Sequence, residues 1–160
     1  MGTQKRCDAK TLEKNETFLN RLFYRSLEKP YLQTLFPDRP EALSVMVFYA
    51  QEGAVVHFSK GSLIHNCNAC IQECGLSGHA FLSGHDYFIF LIENREESAE
   101  KVSEHFARIR GELLGRYDIQ TIHHTEQLCA VDESMGRRIP LLINEISSVR
   151  YYGKRFSKQE

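Results

Sequence analysis

The stretch Leu43-Ser44-Val45-Met46-Val47-Phe48-Tyr49-Ala50 constrains the fold more than any other. Nearly every position is apolar, β-branched or aromatic, polar alternation is missing, and a Gln51-Glu52-Gly53 turn signal follows. A strand of this kind is stable in water only when both faces are covered, so helices must lie on either side of it. The run is also far short of the roughly 18 apolar residues that a membrane span requires, and no membrane partner is expected.

The flanking sequence supplies the cover. Residues 8–36 read as helical, with Leu12, Leu19, Leu22, Phe23 and Leu27 at 3.6-like spacing. Pro30 suits the first turn of a second short helix carrying Leu32, Leu35 and Phe36, and Pro37-Asp38-Arg39-Pro40 stops it. Residues 54–58 read as the returning strand of a hairpin. Beyond them Leu63, Cys67, Cys70 and Cys74 fall on one helical face, with Gly75 as the stop. Short strands are expected at 79–82 and 87–92. Asn94, with Glu97, is expected to cap a helix whose buried stripe is Ala99, Val102, Phe106, Ile109 and Leu113, ending at Gly115. Residues 119–122 and 128–131 look like two further strands. The segment 140–152 reads as a helix with Leu142, Ile146 and Val149 inward, or partly as a strand. The chain is 160 residues long, the size of one domain. The expected fold is α+β, a single-domain sandwich with an antiparallel or mixed sheet flanked by helices. Its parts are an N-terminal helical segment (1–40) packed on the core, a core domain (41–156) and a short tail (157–160).

Charge and cysteine content limit the function classes. Twenty basic side chains face 21 acidic ones, for a formal net charge of −1, so nothing global favours nucleic acid. The first twenty residues hold charges throughout and no apolar signal core, and Arg6 stands where myristoylation prefers Ser or Thr. Five cysteines are an odd number, and three lie within eight residues, which argues for reduced thiols in a cytoplasmic protein.

Cys67-Asn68-Ala69-Cys70 is a CxxC, Cys74 shares its face, and His65 and His79 flank it. Thiolates and imidazoles are the ligands of zinc and iron centres, so these five residues are a candidate metal site, with His85 as a further donor. The alternative is core packing, because the cysteines continue the face begun by Leu63 and free cysteine behaves as a small hydrophobe. Cys7 and Cys129 are isolated. His123 and His124 are adjacent, and adjacent strand residues point to opposite faces, so they are not joint ligands. No Ser-His-Asp order, phosphate-binding glycine loop or HExxH motif is present.

The stretch Phe81-Leu82-Ser83-Gly84-His85-Asp86-Tyr87-Phe88-Ile89-Phe90-Leu91 reads as strand, tight turn, strand, and an amphipathic helix follows. Here the chain resembles the nucleotide-cyclase palm of GGDEF domains, with Ser83-Gly84-His85-Asp86-Tyr87 at the motif positions. The likeness runs over about residues 43–156 and extends to the closing helix and its basic end. The departures imply an inactive member. His85 replaces the metal-binding acid, residues 43–50 offer no second Asp, and without two acids magnesium loses its oxygen cage. What the resemblance implies is nucleotide or partner binding without turnover, at Ser83, Gly84, His85 and Asp86. The element order is equally similar to roadblock and longin-like scaffolds, which make dimers or hold small GTPases.

Arg137-Arg138 and Arg150-Tyr151-Tyr152-Gly153-Lys154-Arg155-Phe156-Ser157-Lys158 combine positive charge with aromatics. Such a tail suits a nucleotide or single-stranded nucleic acid, or else it is a solvated terminus whose tyrosines cover the core edge. Nucleic acid is not expected given the neutral chain. The expected function is a non-enzymatic regulatory or adaptor module acting on a protein partner or as a homodimer. The alternative is a metal- or nucleotide-binding sensor that uses the cysteine helix or the 83–87 turn.

Overall fold

The structure, a computed structural model, describes residues 2–24, 26–50, 59–84 and 86–157. Among them the order is α1 (Gly2–Phe23), α2 (Lys29–Leu35), β1 (Ala42–Ala50), α3 (Lys60–Glu73), β2 (Gly78–Ser83), β3 (Tyr87–Glu93), α4 (Ala99–Tyr117), β4 (Thr121–Ala130) and α5 (Met135–Ser157). The strands form one antiparallel sheet in the order β2-β3-β1-β4. Each crossover helix therefore skips a strand: β3 lies between β1 and β2, and β1 lies between β3 and β4. Together they make the interleaved split β-α-β pattern. The fold is α+β, with the sheet between two helical layers.

All nine residues of β1 are buried because its faces are claimed by different layers. Leu43, Val45, Val47 and Tyr49 join Phe18, Leu22, Leu32, Phe36, Ile139 and Ile146 from α1, α2 and α5. Met46, Phe48 and Ala50 join Leu63, Cys67, Cys70, Ile71, Phe106 and Ile109 from α3 and α4. Strand β3 divides the same way, with Ile89 and Leu91 on the first face and Phe88, Phe90 and Ile92 on the second. The period of two is present, but both phases are apolar, which is why β1 and β3 read as unbroken hydrophobic runs.

Several expectations are corrected. The helix after β3 begins at Ala99 rather than at Asn94. Asn94 is buried and holds the bend before the helix. Its Nδ2 donates to Ser44 Oγ (3.1 Å) and Ser98 O (2.9 Å), and its Oδ1 accepts from Ser98 N (3.3 Å). That helix also passes through Gly115 to Tyr117 and turns at Asp118, in the left-handed region at φ 54°. Its last turn is tied to the end of α3, since Arg116 (2.7 Å) and Tyr117 (3.1 Å) both reach Glu73. Residues 119–131 give one strand instead of two. The polar middle of β4 belongs to a sheet edge, while β1 offers it a full-length partner. The last helix starts at Met135, upstream of Pro140, where Asp132 Oδ1 accepts the Ser134 N–H at 2.8 Å.

By contrast Gly75 (φ 70°) does end α3. Gly75 N donates to Gln72 O and Leu76 N to Ile71 O, the paired bonds of a Schellman close. At the start of β2 a glycine is required, because a Cβ at Gly78 would lie 2.2 Å from Leu91 O. The expected strand at 54–58 lies outside the described residues.

Candidate functional site

The turn singled out as a ligand site is bound into the fold. Gly84 takes a φ of 66°, Asp86 O accepts the Ala50 N–H (3.1 Å), and Asp86 Oδ2 lies 3.7 Å from Arg150 Nη1 on α5. The same guanidinium donates to Tyr87 Oη and Tyr49 Oη, both at 2.8 Å, and stacks 3.5 Å over the Tyr49 ring. Tyr87 Oη also meets Ser147 Oγ at 2.9 Å. Arg150, the first residue of the basic tail, thus ties α5 to the ends of β1 and β3 and faces the Asp86 charge. Ser83 is half-buried and Gly84 exposed. His85 lies outside the described residues.

The five candidate metal ligands are divided between two environments. Cys67, Cys70 and Cys74 are buried against the sheet and α4. Burial pushes the Cys67 thiol well above its ordinary value, and burial beside Cys74 pushes Cys70 up to about 12. His65 and His79 instead line a groove of about 410 Å³ between α1, α3 and β2, together with Lys14, Asn15, Asn68 and Gln72. His79 is satisfied there, with Nε2 2.6 Å from Leu35 O and Nδ1 2.9 Å from Lys14 Nζ. Burial, then the nearby Lys14 charge, lower its basicity. Among the described residues no three His, Cys, Asp or Glu side chains converge as a metal-binding group.

The two edges of the sheet are finished in opposite ways. Glu93 N donates to Ser77 O at 2.8 Å, so Ala80 and Leu82 of β2 aim their main-chain groups away from β3. Both residues are met by asparagine amides. Asn15 on α1 donates to Leu82 O (2.9 Å) and accepts from Leu82 N (2.8 Å). Asn68 on α3 donates to Ala80 O (3.4 Å) and accepts from Ala80 N (3.1 Å). These two side chains replace a fifth strand.

Among the described residues strand β4 has no such cover. Val131 N donates to Glu41 O at 3.0 Å, which makes His123, Thr125, Gln127 and Cys129 the residues bonded to β1. His124, Glu126 and Leu128 point their N–H and C=O groups outward, and among the described residues none of these groups has a partner. The sequence Thr121-Ile122-His123-His124-Thr125-Glu126-Gln127-Leu128-Cys129-Ala130 contains no Lys or Pro, the residues that commonly blunt an edge. Its side chains alternate as expected for His123 and His124. The His123 ring stacks toward Tyr49 (6.3 Å) on the α5 side, and the His124 ring packs on Phe106 (4.1 Å) on the α4 side. On the α4 side Glu126 Oε1 accepts the Ser103 hydroxyl at 2.8 Å, and its other oxygen is shielded from solvent without a partner. On the α5 side a groove of about 210 Å³ runs beside β4, with Ile122 (46 % exposed) and Val149 (50 %) on its walls.

Asn15, Asn68, His124 and Glu126 were not singled out as site residues. For Asn15 a signal existed, because it lies on the apolar face of α1 between Leu12, Phe18, Leu19 and Leu22, and a polar residue there must find a buried partner. No protein-family model matches the chain, and no curated protein matches it in sequence.

Proposed function

We propose that the protein is a non-enzymatic regulatory or adaptor module that binds a protein partner by extending its sheet at β4. The observation that carries this reading is the contrast between the edges: β2 is closed by two side-chain amides, while β4 presents a ten-residue strand whose main-chain groups at His124, Glu126 and Leu128 meet no partner among the described residues. An extended segment laid against such an edge gains main-chain hydrogen bonds, and the flanking Ile122–Val149 groove offers a place for its side chains. The chemistry of the other candidates supports binding over turnover. The buried thiols are held protonated, and Asp86 is matched by Arg150.

A panel of extended peptides tested against the wild-type chain and against Glu126→Pro checks the proposal. The Glu126 N–H has no partner among the described residues, so proline there spares the sheet's own bonds and removes one outward donor. Binding by the wild type that protects the 124, 126 and 128 amides from hydrogen exchange, and that falls about tenfold or more in the proline variant, is the expected result. Equal binding by both chains would refute an edge-docking function.

A further inference from the structure

We infer that the segment seated on β4 is the β4 strand of a second copy of this chain, paired antiparallel about a two-fold axis at Thr125. The inference rests on the edge-docking reading and names its occupant.

The register follows from which residues face outward. An antiparallel pair forms only when outward residues oppose outward residues, so the axis can pass through His124, Thr125 or Glu126 in the middle of the strand. An axis at Glu126 sets two carboxylates against each other, and an axis at His124 sets imidazole against imidazole. The first sets like charges together, and the second leaves each Glu126 carboxylate without a His124 mate. An axis at Thr125 places His124 opposite Glu126 twice, once on each side of the axis. It also brings Thr125 against Thr125 on the α5 face, a favourable cross-strand combination.

The surroundings carry the same polarity. Burial, and then the Arg110 charge on α4, make His124 less basic than an ordinary imidazole, so its ring meets Glu126 as a hydrogen-bonding group while Arg110 carries the positive charge at that end of the edge. Glu126, with one carboxylate oxygen unpartnered among the described residues, is the negative end. Antiparallel pairing joins the positive end of each copy to the negative end of the other. The Glu145 side chains that accept the Thr125 hydroxyls (3.3 Å) are exposed, where salt screens their mutual repulsion. The two four-stranded sheets become one of eight, and both open edges are consumed.

Sedimentation equilibrium of the full chain over a concentration series tests this, with Glu126→Pro, His124→Glu and the charge-exchanged His124→Glu/Glu126→Lys chain alongside. The expected result is a dimer that weakens about tenfold or more in each single variant and recovers in the double variant. Register is read separately in a Cys7→Ser background. Thr125→Cys pairs directly with its own mate at the short, non-hydrogen-bonded spacing that a disulfide spans, and links the dimer on mild oxidation. Gln127→Cys does not. A wild-type chain that stays monomeric while extended peptides still protect the 124, 126 and 128 amides overturns the second copy as occupant and leaves edge docking standing. A dimer indifferent to Glu126→Pro overturns both. Linking by Gln127→Cys in place of Thr125→Cys overturns the two-fold at Thr125.

Discussion

Replacing Asn15 with alanine removes both side-chain bonds that close the main chain at Leu82. Asn15 is 1 % exposed and Leu82 fully buried, so no water takes over the lost bonds. Each buried main-chain group left without a partner costs about 1–3 kcal/mol, and alanine returns about 0.5 kcal/mol through its better helix propensity. The net loss is about 1.5–5.5 kcal/mol. For a domain of this size it lowers the midpoint of thermal unfolding by roughly 3–20 °C. Asn68→Ala makes the comparison, since it removes the equivalent bonds to Ala80 from a half-buried side chain, one of them long at 3.4 Å. The partial exposure of that side chain lets water replace them, and the expected loss is about 1 kcal/mol or less. Urea unfolding of both variants, with an unchanged denaturant slope, reads the difference. Asn15→Ala also leaves β2 as well as β4 without full closure, so it is expected to form open-ended polymers and scatter light as concentration rises. If the two alanine variants lose equal stability within about 0.5 kcal/mol, the amides are not what closes this edge.

Three further outcomes are expected. With Cys70 pushed up to about 12 and Cys67 also raised, both thiols are protonated at pH 8, so reaction with a disulfide reagent should proceed only at the rate of unfolding; rapid reaction in the native state would refute their burial. His79 is less basic folded than unfolded, chiefly through burial, so its contribution to stability is complete above pH 6.5. That contribution is lost as the pH falls below 6.5, by at most about 1.4 kcal/mol per pH unit, because the unfolded chain binds the proton first. Urea midpoints measured against pH should show a shallower acid-side slope in His79→Gln. Arg150→Met should cost about 1–3 kcal/mol by stranding the Tyr49 and Tyr87 hydroxyls and the Asp86 charge. Amide exchange should rise in the last turns of α5, and unchanged exchange there would mean that Arg150 does not hold the helix.

Where local pattern and burial agree, the sequence is a good guide. Leu43 to Ala50 announces a doubly covered strand, the Leu63–Cys67–Cys70–Cys74 stripe lies where its spacing puts it, and Gly75 stops α3. The failures occur where a residue answers to something distant. Asn94 looks like a cap from its neighbours, but its amide is used by Ser44, fifty residues earlier. Arg150 looks like the start of a solvated basic tail, but two tyrosines and an aspartate from the far end of the sheet are waiting for it. His65 and His79 look like companions of the cysteines by proximity in the chain. On α3, however, His65 leaves on the groove side while the thiols enter the core, and His79 is claimed by α1 and α2. Long-range partners of this kind have no periodic signature.

The open edge was hard to read for a related reason. An edge strand is half-solvated, so its polar residues dilute the apolar alternation, and 119–131 looked like two short strands with a loop between. What distinguishes an unguarded edge from a guarded one is supplied by other elements. At β2 the guards are single asparagines on α3 and α1, more than ten and more than sixty residues away in sequence respectively. At β4 the relevant fact is the absence of any equivalent among the described residues, together with an order of side chains, His124 before Glu126, that acquires meaning only when the strand is set against its own reverse. A two-fold pairing converts that order into two imidazole–carboxylate contacts, whereas a partner strand of arbitrary sequence does not. The self-complementary order of β4 therefore favours a second copy over an unrelated peptide, and exchanging the two charges tests that argument without altering the strand's hydrogen-bonding capacity.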